Sequence, residues 1–215
     1  MMKIILLIGL VAVIALFGWS VAVSDVEQAK YTVVEKHDAI EVRDYAPHIV
    51  AEVMVSGERE PAIQEGFRMI ADFIFGNNLS AKKVAMTAPV IQQPSEKIAQ
   101  KIAQKIAMTA PVLQQGQDNK WVVQFVMPSE YTLASLPKPN NAAVVLKEVA
   151  AKRYVALRFS GVAEDSNLKT HSDELSSFIA TQKLKVLSPM TYAFFNPPWT
   201  LPFMRRNEVM VEVAK

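Results

Sequence analysis

A strand that ends in Ser-Gly and hands over to an amphipathic helix occurs twice in this chain, about 104 residues apart. That repetition limits the fold more than any other feature. The first copy runs from Val50 to Ser56-Gly57, and the second is Tyr-Val-Ala-Leu-Arg-Phe-Ser-Gly at 154–161. After Gly57, Pro61 sits where a first helical turn tolerates it and Gly76 where a helix stops. Between them Ile63, Phe67, Ile70 and Ile74 recur at helical spacing, with Gln64, Glu65, Arg68 and Asp72 elsewhere. After Gly161 a second helix is expected from about Asn167, with Leu168, Leu175, Phe178 and Ile179 on one side. Gly57 precedes Ile74 by 17 positions and Gly161 precedes Ile179 by 18. Two copies are too few for a solenoid, so the pattern predicts a closed domain of pseudo-twofold halves.

The remaining segments supply strands. Tyr31 and Val33 alternate with Thr32 and Val34, and Ile40 and Val42 with Glu41 and Arg43. Asp44-Tyr-Ala-Pro47 makes a turn, and residues 48–55 form a third strand. An octapeptide is written twice, Lys-Val-Ala-Met-Thr-Ala-Pro-Val at 83–90 and Lys-Ile-Ala-Met-Thr-Ala-Pro-Val at 105–112. Both copies and residues 121–127 are strand-like. Pro89 and Pro111 cannot donate to a ladder, so each belongs at an edge or strand end. Met86 and Met108 in these copies are expected to fill the core. Residues 97–108 hold Lys-Ile-Ala-Gln twice and then Lys-Ile-Ala-Met, a local duplication expected to lengthen a surface hairpin. Residues 129–133 suit one helical turn capped by Ser129. Residues 144–149 and 154–159 suggest a hairpin, and 190–195 with 208–213 close the sheet. Between these last two lies a long aromatic and proline-rich loop, 196–206. The expected fold is α+β: a distorted antiparallel β-barrel of about eight or nine strands, with two helices outside.

Residues 4–23 are almost wholly apolar, with Lys3 before them and Ser24, Asp25 and Glu27 after. About 20 apolar residues span a bilayer as a helix. The charge asymmetry orients such a helix with its N-terminus in the cytoplasm, leaving the rest in the periplasm or outside. A cleavable signal peptide is the competing expectation, with Ser20-Val-Ala22 as the cleavage site. The expected organisation is an anchor or signal at 1–23, a polar tether at 24–30 and one domain at 31–215. Zero cysteine excludes a disulfide framework and an acylated lipoprotein cysteine. Apart from Lys3 the chain carries 22 basic and 21 acidic groups without a polybasic stripe, so nucleic acid is not an expected partner.

The residues do not announce a reaction. A nucleophile–base set needs a histidine in reach of Ser or Cys. Only His37, His48 and His171 exist, without a Gly-x-Ser-x-Gly elbow. No His-Glu-x-x-His or carboxylate cluster points to a metal. No catalytic residue and no metal ligand is assigned.

The two octapeptides, the Phe-Val-Met-Pro tract at 125–128 and the Arg-Arg-Asn-Glu-Val ending at 205–209 together resemble the SOUL family of haem-binding proteins. The resemblance runs from about Tyr31 to the C-terminus. It implies non-covalent binding of haem or a related tetrapyrrole, for buffering, transport or presentation rather than catalysis. It also implies a fold similar to the small-molecule effector domains of certain bacterial regulators. By resemblance, the pocket lies between the first helix and the loop before the last strand. The matching positions are Gln64, Phe67 and Ala71 on the helix, and Trp199, Phe203, Met204 and Arg205 in the loop, followed by Arg206. Phe, Trp and Met suit the flat apolar faces of a macrocycle, and guanidinium groups suit its carboxylates. Some animal members carry a histidine where this chain has Asp44, and others hold the porphyrin without an axial histidine.

Two other functions remain open. An enzyme could act on a lipophilic small molecule in the same cavity, with Glu65 or Glu208 as base. A scaffold could dock a partner or the bilayer through residues 196–206.

Overall fold

The computed structural model describes residues 26–79, 104–117, 119–197 and 199–215. The expected anchor or signal at 1–23 and the first octapeptide lie outside the described residues. No helix among those described is long and apolar enough to cross a membrane.

The elements in chain order are β1 (Tyr31–His37), β2 (Ile40–Tyr45), β3 (His48–Ser56), α1 (Arg59–Ile74), β4 (Asn78–Leu79), β5 (Val112–Gln117), β6 (Lys120–Val126) and β7 (Lys138–Pro139). They continue with β8 (Val145–Val149), β9 (Lys152–Phe159), α2 (Asp165–Thr181), β10 (Thr191–Phe194), a 3-10 turn (Pro202–Met204) and β11 (Asn207–Val213). Nine strands form one antiparallel sheet in the order β1-β2-β9-β11-β10-β5-β6-β3-β8, and β4 and β7 pair separately. β2 and β3 are consecutive in the chain yet lie towards opposite ends of this order, and so do β8 and β9. The two-residue links 46–47 and 150–151 therefore bridge the opening of a curled sheet, an open half-barrel.

Alternation along each strand sends one set of side chains to the convex face and the other to the concave face. The convex face carries both helices. α1 lays Ile63, Ile70, Phe73 and Ile74 on Val53, Val55, Val123 and Phe125 of β3 and β6. α2 lays Leu168, Leu175 and Ile179 on Val155, Leu157, Val209 and Val211 of β9 and β11. These are the two expected repeats, each with its own apolar cluster. The connecting Gly57 and Gly161 have φ of 119° and 106°, a turn that only glycine makes without strain. Gly66 lets α1 approach closely, since a Cβ there would stand 2.8 Å from a Val123 methyl carbon.

Several expectations are corrected. Residues 144–149 and 154–159 do not form a hairpin: β8 pairs with β3, while β9 sits between β2 and β11. Alternation in adjacent segments suggested pairing, but a chain that must close a curled sheet crosses the opening instead. The second octapeptide enters the sheet only at Val112, and Pro111 stands at the strand start as expected. Ahead of it Ile106 plugs into the α1 cluster, with its N–H on Ile74 O at 2.9 Å. Met108 is 49% exposed and fills no core. Residues 129–133 make turns rather than a helical turn. The Ser129 N–H donates to the Glu27 carboxylate at 2.9 Å, which ties down the segment leading from the tether.

Candidate functional site

Gln64, Phe67 and Ala71 share one flank of α1, beside the buried stripe. Gln64 is exposed, Ala71 half-buried, and Phe67 is 40% exposed with its ring 5.3 Å from that of Phe125. Phe125 begins a row across the convex face. Cross-strand pairing continues it through Val112, Phe194, Asn207 and Phe159. At the far end His171 of α2 stacks on Phe159, with centroids 4.3 Å apart.

The loop 196–206 leaves the sheet after Phe194 and returns at Asn207, so both ends belong to this row. Its apolar side chains point outward: Trp199 is 78% exposed and Phe203 73%, while Met204 is half-buried. The backbone beneath is pinned. Gly161 N–H donates to Pro202 O at 2.9 Å, Asn207 Nδ2 to Gly161 O at 3.0 Å, and Arg205 Nε to Thr200 O at 2.7 Å. Arg59 at the start of α1 donates to Asp165 at 2.6 Å and to Ala163 O at 3.0 Å. The helix residues and the loop residues are thus linked through residues 161–165. Among the described residues no ring contact joins Phe67 to Trp199 or Phe203.

Arg206 is committed elsewhere. Its guanidinium donates to Glu208 Oε1 at 2.9 and 2.7 Å and lies 3.8 Å over the Phe195 ring. From the other side Arg43 donates to Glu208 at 2.6 and 3.1 Å. Arg43 and Glu208 are 2% and 0% exposed. Burial works against the Arg43 charge, but the hydrogen bonds and field of Glu208 outweigh it and push the pKa up. Two guanidinium groups clamp the Glu208 carboxylate, which leaves it unsuited to act as a base. Glu65, the other carboxylate considered for that role, is exposed on α1.

The histidines are dispersed. His37 is exposed beside Glu35 and the Phe178 ring, and His48 hydrogen-bonds Ala46 O through Nδ1 at 2.9 Å. His171 adds a contact to Glu174 to its stacking on Phe159. Among the described residues no three metal-binding side chains come together.

The concave face holds space lined by none of the residues matched to a porphyrin pocket. A cavity of about 440 Å³ is lined from both sides of the opening, by Tyr45, Lys152, Tyr154 and Glu212 and by Glu52 and Lys147. A second of about 510 Å³ adjoins it, walled by residues 27–30 and by Tyr131. His48, Val149 and Ala29 line both. The signal was present in the alternation. Glu52, Gln124, Tyr154 and Glu212 occupy strand positions opposite in phase to the apolar core residues.

The family profile described as "SOUL heme-binding protein" matches residues 26–103 and 98–212. This chain belongs to the SOUL family. At family level its function is the binding of haem or a tetrapyrrole, not catalysis. The two parts of the SOUL match overlap within the duplicated tract, as expected if the extra copy is a local insertion. No curated protein matches the chain by sequence. Among solved structures the EcmrR C-terminal domain superposes with a TM-score of 0.55 at 11% identity, over 86% of this chain and 98% of that one. An uncharacterised conserved protein from Listeria innocua gives 0.51 at 13% identity, over 81% and 92%. A hydrolase from Listeria innocua gives 0.50 at 12%, over 84% and 94%. At such identities these likenesses establish the curled sheet with two helices and nothing about activity.

Proposed function

We propose that this SOUL protein captures haem or a related tetrapyrrole non-covalently, outside the cytoplasm, on the surface between the α1 flank and the 196–206 loop. Membership of the family supports the ligand class. The observation that carries the location is the exposure of Phe67, Trp199 and Phe203, aromatic side chains left in water around one row of the convex face. Aromatic side chains left exposed in this way suit an apolar ligand that covers them. A macrocycle has the matching chemistry: flat apolar faces for the three rings and Met204, and carboxylates for the positive charge of Arg205. Gln64 and Ala71 border the same flank. Haem would supply iron and colour, while the chain's own residues provide apolar coverage and charge. No histidine is needed for this mode, because coverage rather than ligation holds the ring.

Residues 4–23 would hold the domain at the cytoplasmic membrane, facing the periplasm or exterior. Buffering, transport or presentation of the ligand suits such a placement.

The test is titration of haem and of iron-free protoporphyrin into the full chain in lipid nanodiscs, followed by Soret absorbance and tryptophan quenching. Both ligands are expected to saturate with similar affinity. Failure of both, or saturation by haem that disappears in a His37, His48 or His171 variant, overturns the proposal.

A further inference from the structure

The concave cavity is separate from the helix and loop residues assigned to the tetrapyrrole, and its chemistry is different. Its walls carry the carboxylates Glu52 and Glu212, whose side chains are only 16% and 17% exposed. Each is paired with a lysine that is closer to water: Lys147, 45% exposed, on Glu52, and Lys152, 36% exposed, on Glu212 at 2.5 Å. The acids therefore sit in the wall and the ammonium groups sit towards the rim. Two carboxylates and two lysines thus share the lining, with the acids the deeper of each pair. Between them the rings of Tyr45 and Tyr154 meet edge to face, 5.6 Å apart, over a floor that includes Leu113, Val122 and Met210. Burial, then the field of Glu212, pushes the Tyr154 hydroxyl up to about 12, in keeping with a carboxylate close to that ring.

We propose that this cavity binds a flat organic cation, whose positive group replaces a lysine ammonium at Glu52 or Glu212 while its ring lies against Tyr45 and Tyr154. The exchange is easy because a partly exposed lysine regains water when displaced. In return the wall carboxylate keeps a counter-charge, and the tyrosine faces attract a cation. A neutral ring of the same shape offers no group to replace the ammonium. An anion would meet wall carboxylates that lie deeper than the ammonium groups. At about 440 Å³ the cavity lies within the range of small-molecule sites. The proposal does not depend on tetrapyrrole binding at the convex face.

The experiment compares N-methylquinolinium, neutral quinoline at pH 8 and 2-naphthoate by calorimetric titration of the full chain in zwitterionic nanodiscs, with empty nanodiscs as reference. The cation is expected to bind at least tenfold more tightly than quinoline, and naphthoate not to bind. Combining Glu52→Gln with Glu212→Gln should weaken the cation tenfold or more. Lys147→Met and Lys152→Met remove the competitor, so each should tighten it several-fold. That gain carries the test even where the glutamine variants fail to fold, since a purely structural ion pair predicts no gain. Prior saturation with haem should leave the cation's affinity unchanged. Naphthoate binding as well as the cation, lysine variants that lose the cation, or stoichiometric displacement by haem would each overturn the proposal.

Discussion

Replacing Trp199 by Ala should separate ligand binding from folding. The indole is 78% exposed, so its removal takes almost nothing from the core. Surface changes of this kind usually stay within about 0.5 kcal/mol. The effect on binding is larger. An aromatic side chain can bury about 150–250 Å², and a flat ligand lying on one face covers roughly 80 Å² of it. At about 25 cal/mol per Å² that coverage is worth about 2 kcal/mol, or about a 30-fold loss of affinity. Titrating haem and protoporphyrin into nanodisc-embedded Trp199→Ala measures the loss, and urea unfolding followed by circular dichroism measures stability. Phe67→Ala provides the contrast. Its ring is only 40% exposed and rests on Phe125, so it should cost both affinity and about 1–2 kcal/mol of stability. Unchanged affinity in a Trp199→Ala, Phe203→Ala double variant would refute the placement of the ligand against the loop. A stability loss above about 1 kcal/mol from Trp199→Ala alone would refute the premise that the loop's rings do no packing.

Glu208→Gln should destabilise the domain by about 3 kcal/mol in urea, because Arg43 and Arg206 lose the buried carboxylate they share and only Glu41 remains beside Arg43. Combining it with Arg43→Met should cost much less than the sum of the two, and additivity would show that the clamp is not a unit. Gly66→Ala should lose about 1–3 kcal/mol despite better helix propensity, as α1 is pushed off Val123; unchanged unfolding would mean the helix has slack there. Burial pushes the hydroxyls of Tyr45 and Tyr154 up to about 12, against about 10 in an unfolded chain. Between those values the unfolded state releases protons that the folded state keeps, so stability is intact below pH ~10 and falls as pH rises towards ~12. Urea midpoints from pH 9 to 11.5 should show that fall, and a Tyr45→Phe, Tyr154→Phe variant should flatten it.

Much of the architecture was legible because it rests on local signals. Pro61 and Gly76 bracket α1 closely, and the Ser-Gly handover marks both repeats. Period-two alternation located the strands. What alternation could not convey was which strand lies beside which: β8 and β9 are neighbours in the chain and lie far apart in the sheet, because the links 46–47 and 150–151 close the curl. The second octapeptide misled for a related reason. Its Ile106 is held by α1, a contact distant in sequence, and this keeps residues 105–111 out of the ladder. At the site, the aromatic residues were conspicuous as residue types, while the charged lining of the concave face was not. Glu52 and Glu212 are the polar half of an ordinary strand alternation, and only the sheet's curvature turns that face inward.

The two halves also show why an ion pair can serve stability in one place and leave room for a ligand in another. Arg43 and Lys147 are separated by 104 positions, as are their register partners Tyr154 and Val50. They are therefore equivalent under the internal repeat, and each reaches a carboxylate on the concave face: Arg43 meets Glu208, and Lys147 meets Glu52. The planar guanidinium engages both oxygens of Glu208, Arg206 closes the other side, and water is excluded. An ammonium makes a point contact and keeps access to solvent, so the Glu52 pair stays open and exchangeable. Closing both copies with arginine would have filled the half-barrel from two sides. One copy closed and one left open gives a domain with a fixed electrostatic knot on its concave face beside an accessible charged cavity.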